Sequence, residues 1–138
     1  MKAKGYIKLR HKGSMIERFI KQYDIVVCEL GEGLGCEKRG SRPCVVVGND
    51  KLNKNSDNIL IAPLTNMVNK RNEQGTIDLL DTHVVLSNKF YRQLPKTSIV
   101  QLEDVRSISK SRIVEWFGDL SKNDKDLIKN AQRVAFGL

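Results

Sequence analysis

Arg42, Thr65 and Glu103 each lie at the border of an apolar, strand-like run, which is where chemistry is easiest to arrange. Arg42 lies in the polar stretch Gly35-Cys36-Glu37-Lys38-Arg39-Gly40-Ser41-Arg42-Pro43, which leads directly into Cys44-Val45-Val46-Val47. Pro43 fixes its own φ and pushes the preceding residue toward an extended conformation, so the guanidinium of Arg42 is aimed by the backbone as well as by its rotamer. Thr65 ends the run Ile59-Leu60-Ile61-Ala62-Pro63-Leu64, and Glu103 sits in the turn Gln101-Leu102-Glu103-Asp104. Together they offer a forked donor, a hydroxyl and a carboxylate. On spacing alone a structural role is the stronger reading for each, because charged loops are common.

Other chemistries lack their residues. His11 and His83 are far apart and have no evident nucleophile or carboxylate partner in the sequence, and no GxGxxG, P-loop or HExxH pattern is present. Cys28, Cys36 and Cys44 are spaced by eight, which fits neither a zinc site nor a disulfide framework. Cys28 and Cys44 fall in apolar runs, where a thiol acts as a small hydrophobe. No metal and no cofactor is expected.

The elements that must position these residues are short strands. A chain of 138 residues with 40% apolar composition suits one domain with its own core. Strands are expected over Tyr23 to Leu30, Cys44 to Gly48, Ile59 to Thr65, His83 to Leu86, Thr97 to Glu103, Val105 to Ser109 and Arg112 to Phe117. Pro63, lacking a donor, belongs at an edge or bulge. After Gly118 the period changes: Ser121 is placed to cap a helix, and Leu127, Ile128, Ala131, Val134, Ala135 and Leu138 follow at helical spacing. Short strands without interleaved long helices predict a mainly β (α+β), antiparallel, barrel-like sheet with a C-terminal amphipathic helix.

The net charge of +8 is uneven. Residues 1–22 carry seven Lys or Arg against Glu17 alone, and the remainder is nearly neutral. Residues 1–22 therefore read as a basic extension, mobile at first and then a short helix from Ser14, with Ser14 and Glu17 at capping-box spacing. Residues 23–138 read as the domain. No apolar run approaches the roughly 20 residues needed to cross a bilayer, and the N-terminus has no apolar signal region, so a cytoplasmic protein is expected.

The stretch from Gly35 to Asp50 resembles the G-x-E-x-x-G-x-R-P-x-x-V/I-x-x-N-D signature of the MazF/PemK family, toxins of type II toxin-antitoxin pairs. Ile61-Ala62-Pro63-Leu64-Thr65, Thr82-His83-Val84 and the block from Leu102 to Arg112 are similar to later family segments in the same order. The resemblance implies an SH3-like, twisted antiparallel barrel with short helices, like MazF, CcdB and Kid. It also implies a homodimer, and a metal-independent endoribonuclease that cuts single-stranded RNA at short sequences by 2′-hydroxyl attack. By position, Arg42 and Thr65 match the family's loop arginine and strand-end threonine or serine. Arg42 would offer two donors to a phosphate and favour its transition state as charge grows, and Thr65 would donate to the same oxygen.

This chain departs from members that carry an arginine and an aspartate in the late strand, having Gln101 and Glu103 there, and it has Cys36 where some carry a loop histidine. Glu103 is retained as a candidate base, Gln101 as a binding group. Glu37, Lys38, Arg39, Ser41, Asn66, Lys70 and Arg71 are the remaining candidate RNA contacts, with Tyr91 and Phe90 as candidate stacking rings, although Phe90 reads as core. The resemblance also implies a cognate antitoxin contributing an acidic, largely disordered segment. The alternative is a non-catalytic barrel that binds nucleic acid, gyrase or an antitoxin peptide. The basic extension is expected to add nonspecific RNA affinity through its charge.

Overall fold

The computed structural model describes residues 5–31 and 40–138. Its strands are β1 (Tyr6–His11), β2 (Ser14–Phe19), β3 (Asp24–Glu29), β4 (Ser41–Val46), β5 (Asn58–Asn66), β6 (His83–Leu86), β7 (Ser98–Gln101), β8 (Arg106–Ser109) and β9 (Ile113–Asp119), with helices α1 (Asp50–Asn55) and α2 (Lys122–Phe136). They form one sheet in the order β2-β1-β9-β3-β4-β5-β7-β6, and β8 pairs with β5 off that path. All pairings are antiparallel except a single parallel bridge between β1 and β9, Arg10 with Glu115. Among the described residues β2 and β6 end the path without meeting, so the expected barrel is an open, curled sheet.

The central strands read as nearly continuous apolar runs because both of their faces are covered. Successive side chains of a strand point to opposite faces. Ile25, Val45, Ala62 and Leu64 pack with Ile128 and Ala131 of α2 on one face. Val26, Cys28, Cys44, Val46, Ile59 and Ile61 pack with Leu9, Ile20, Ile108 and Ile113 on the other. The Cys44 thiol is pushed well above its usual range by its hydrogen bond with Cys28 and by burial, so it stays neutral and packs as a hydrophobe, as the sequence suggests.

Pro63 lies in the central strand β5, not at an edge. Its missing donor is tolerated because β5 changes partner there: Ile61 is the last residue paired to β8, through Arg106, and Leu64 the first paired to β7, through Val100. Ser121 caps α2 by accepting from the Asp124 amide, and Gly137 ends the helix in the left-handed region at φ 70°.

The basic extension corrects the reading of residues 1–22. Residues 6–19 form a hairpin, and no helix starts at Ser14. The connection is Lys12-Gly13 with φ values of 49° and 84°, the two positive φ values of a type I′ turn. Ser14 and Glu17 sit on the returning strand opposite His11 and Lys8; three residues apart on a strand, they face opposite sides and form no helix cap. Leu9 and Ile20 are buried, and Ile7 and Ile16 pack against the same cluster. The hairpin is part of the core. Leu9→Ala should lower the unfolding free energy by about 2–5 kcal/mol. Urea denaturation checks this, and an unchanged midpoint would mean the hairpin is a loose tail.

Candidate active site

The β4–β5 register brings the two principal candidates together. Cys44 pairs with Pro63 and Val46 with Ile61; continuing that register by two residues sets Arg42 across from Thr65. Arg42 Nη1 donates to the Leu64 carbonyl at 3.0 Å, which holds the guanidinium at the neighbouring strand's end. Its Nε is buried without a hydrogen-bond partner among the described residues. Thr65 is 5% exposed. Arg42, Leu64, Thr65, Asn66, Lys96 and Ser98 are among the residues lining one open cavity of about 180 Å³. Arg42 and Lys96 give it two cations, and among the described residues no carboxylate lines it. Its chemistry is that of an anion site: an arginine fork beside a hydroxyl and an ammonium.

Asn69, Lys96 and Ser98 were not singled out from the sequence. Lys96 and Ser98 stand at the start of an apolar run, but only the β5–β7 register, with Asn66 opposite Ser98, shows that they face this cavity.

The other candidates are dispersed. Glu103 does not line the cavity. It sits in a single helical turn after β7, where Oε1 accepts from Thr82 Oγ1 at 3.0 Å and Oε2 lies 2.8 Å from His83 Nε2. His83 Nδ1 accepts from the Leu80 amide at 3.1 Å, so Nε2 carries the proton it donates to Glu103. The sequence reading left His83 without a partner; this contact between residues 20 apart depends on β6 pairing with β7. Burial opposes ionisation of Glu103, but its own backbone amide, His83 and Thr82 together hold its carboxyl below the usual range. Gln101 is 3% exposed, and its Oε1 is buried without a partner among the described residues.

Asn66 lines the cavity and also accepts from the Val68 amide at 3.3 Å, capping a turn over Met67–Lys70. Arg71 Nη1 donates to the Gly75 carbonyl at 2.8 Å and ties its own loop. Lys70 ends that turn, and Ser41 is exposed beside Glu29 at the start of β4. Glu37, Lys38 and Arg39 lie outside the described residues, as does Cys36. The two aromatic candidates exchange roles: Phe90 is 68% exposed, not core, whereas the Tyr91 hydroxyl is held by Ser121 and Asp124 at the start of α2.

Residues 21–136 match the family model described as the PemK-like, MazF-like toxin of type II toxin-antitoxin systems. The chain belongs to this family. The Endoribonuclease MazF of Staphylococcus epidermidis is 32% identical to it over 119 residues, covering 86% of this chain and 92% of that protein. Among solved structures, a Mycobacterial endoribonuclease in complex with its cognate antitoxin superposes with a TM-score of 0.65 at 19% identity, over 86% of this chain and 96% of that one. MazF from Deinococcus radiodurans does so with a TM-score of 0.65 at 18% identity, over 86% and 97%. These two likenesses show the fold. Like them, this MazF-like toxin is a mostly β protein, and no helix among its described residues is long and apolar enough to cross a membrane. The hairpin β1–β2 precedes the matched region.

The lowered carboxyl of Glu103 has a defined pH signature. A carboxyl whose folded value lies below its unfolded value of 4.5 adds stability that is fully present above the unfolded value and is lost as the pH falls through the folded one. Wild type should exceed Glu103→Gln by a constant margin above about pH 5, and the margin should shrink toward zero on further acidification. Urea midpoints of both proteins from neutral to acid pH measure it; a margin that grows with acid would contradict the assignment.

Proposed function

We propose that this toxin is a metal-independent endoribonuclease that cuts single-stranded RNA by attack of the substrate's own 2′-hydroxyl on the adjacent phosphate, with Arg42 and Thr65 holding the scissile group. The observation that carries this reading is the cavity shared by Arg42, Thr65 and Lys96, cationic and, among the described residues, lined by no carboxylate. The 2′-oxygen bonds to phosphorus as the bond to the 5′-oxygen breaks, leaving a 2′,3′-cyclic phosphate and a 5′-hydroxyl. The attacking hydroxyl loses its proton and the departing oxygen gains one.

Charge grows on the non-bridging oxygens at the five-coordinate stage. Arg42, anchored through one Nη to Leu64 O, presents its other Nη hydrogens to those oxygens, and the Thr65 hydroxyl adds a donor from the facing strand. Lys96 supplies a second positive charge at the cavity wall. Glu103 takes no step here. Both of its oxygens are engaged, and a carboxyl ionising below the usual range is a weak proton acceptor near neutral pH.

The same reading includes a homodimer whose groove orders the strand and selects the cut sequence, a cognate antitoxin whose acidic segment covers the cationic cavity, and a cytoplasmic site of action. A related Mycobacterial endoribonuclease is solved in complex with its cognate antitoxin, which supports the second of these.

Long RNA incubated with the toxin in EDTA should show discrete cuts with 5′-hydroxyl ends. Arg42→Ala and Thr65→Val should each lower the rate by about 10²-fold or more, the loss expected for one oxyanion donor, with the size-exclusion profile unchanged. Cutting that requires a divalent ion, or that survives Arg42→Ala, would rule the mechanism out.

A further inference from the structure

The hairpin turns its apolar face inward and a different face outward. Ile7, Leu9 and Ile16 pack inward. The alternate positions, Tyr6, Lys8 and Arg10 on β1 with Phe19, Glu17 and Met15 directly across on β2, point the other way. Tyr6 is 44% exposed, and its ring lies 6.1 Å from that of Phe19 at a tilt of 53°. Lys12 continues the cationic row at the turn.

Tyr6 also lines two hollows. One, of about 320 Å³, is shared with Glu17, Arg18, Phe19 and Lys21. The other, of about 440 Å³, includes Lys54, Asp57, Ser109, Lys110 and Ser111 in its walls. The acids at these places, Glu17 and Asp57, are outnumbered by the surrounding cations. Asn58, next to Asp57, begins β5, and Thr65 lies at the strand's other end, so the ribbon lies roughly 20 Å along β5 from the cavity. The region matched by the toxin family begins at residue 21, beyond both strands.

We propose that the outward face of the β1–β2 ribbon is a second RNA-binding surface, where a base of the substrate strand outside the cut site stacks on Tyr6 and its flanking phosphates meet Lys8, Arg10 and Lys12. An aromatic ring set among cations is the combination that holds single strands without reading their sequence. An acidic peptide or a lipid surface would use the same cations but does not require an aromatic platform between them, as a stacked base does. The proposal rests on single-stranded RNA being the substrate.

The test uses the full chain and a fluorescent 2′-O-methyl 30-mer, which presents bases and phosphates but has no free 2′-hydroxyl to attack, so binding is read independently of cutting. Removing three phosphate contacts with Lys8→Gln, Arg10→Gln and Lys12→Gln together should reduce the magnitude of the slope of log affinity against log salt by about 2. Tyr6→Leu, which keeps the apolar contact with Phe19, should weaken binding about fivefold or more without changing the slope. The triple variant should cut long RNA at the same mapped positions, and its thermal melt should match wild type.

An unchanged slope in a folded triple variant would overturn the second surface while leaving the nuclease reading intact. Failure of the EDTA cleavage assay with the slope change present would remove the nuclease reading alone. Weakened binding of an acidic peptide or of anionic vesicles, with 30-mer binding unaffected, would also overturn the proposal.

Discussion

Arg42 belongs to β4, but its side chain is tied to β5 through the Leu64 carbonyl, and the candidate site depends on that link. A guanidinium keeps its charge in a protein, so one held against a strand end, its buried Nε without a partner among the described residues, provides a standing preference for an anion. The place where it is held follows from β5 changing partner at Pro63, from β8 to β7. That exchange brings the start of β7, with Ser98 and the preceding Lys96, beside Thr65 and closes the far wall of the cavity. A β5 paired along its whole length to one neighbour would leave Arg42 and Thr65 on an open edge.

The rest of the sheet holds this arrangement in place. The strands that bear Arg42 and Thr65 are covered by α2 on one side and by the curled sheet and hairpin on the other, so the side chains at their ends are supported by buried residues on both faces. Cys28, paired to Arg42 across β3 and β4, is one of those supports. The hairpin thus has two roles in opposite directions: its inward residues complete the second apolar cluster, and its outward residues face solvent with cations and rings.

Much of the fold was legible along the chain. The β-branched runs around Ile25, Val45, Ile61, Val84, Val100, Ile108 and Ile113 became strands, and the Ser121 cap and helical spacing that follow became α2, because local patterning and tertiary burial agree there. The hairpin was misread for a local reason. Its turn is Lys-Gly where Asn-Gly is the strong signal, and Ser14 with Glu17 imitates a helix cap. Phe90 and Tyr91 were exchanged because adjacent aromatics give no sign of which one a distant helix start will engage.

Residue type and order by themselves determined the strands from β3 onward, the strand-end positions of Arg42 and Thr65, and the family resemblance, since all of these depend on neighbours within a few residues. Only the tertiary structure decided that Lys96 and Ser98 share the cavity, that Glu103 is taken up by His83 and Thr82 away from it, and that the basic extension is a core-packed ribbon. Each of those outcomes depends on which strands pair and in what register. Pairing is set by burying two apolar faces at once, a constraint on the whole chain that no single segment carries.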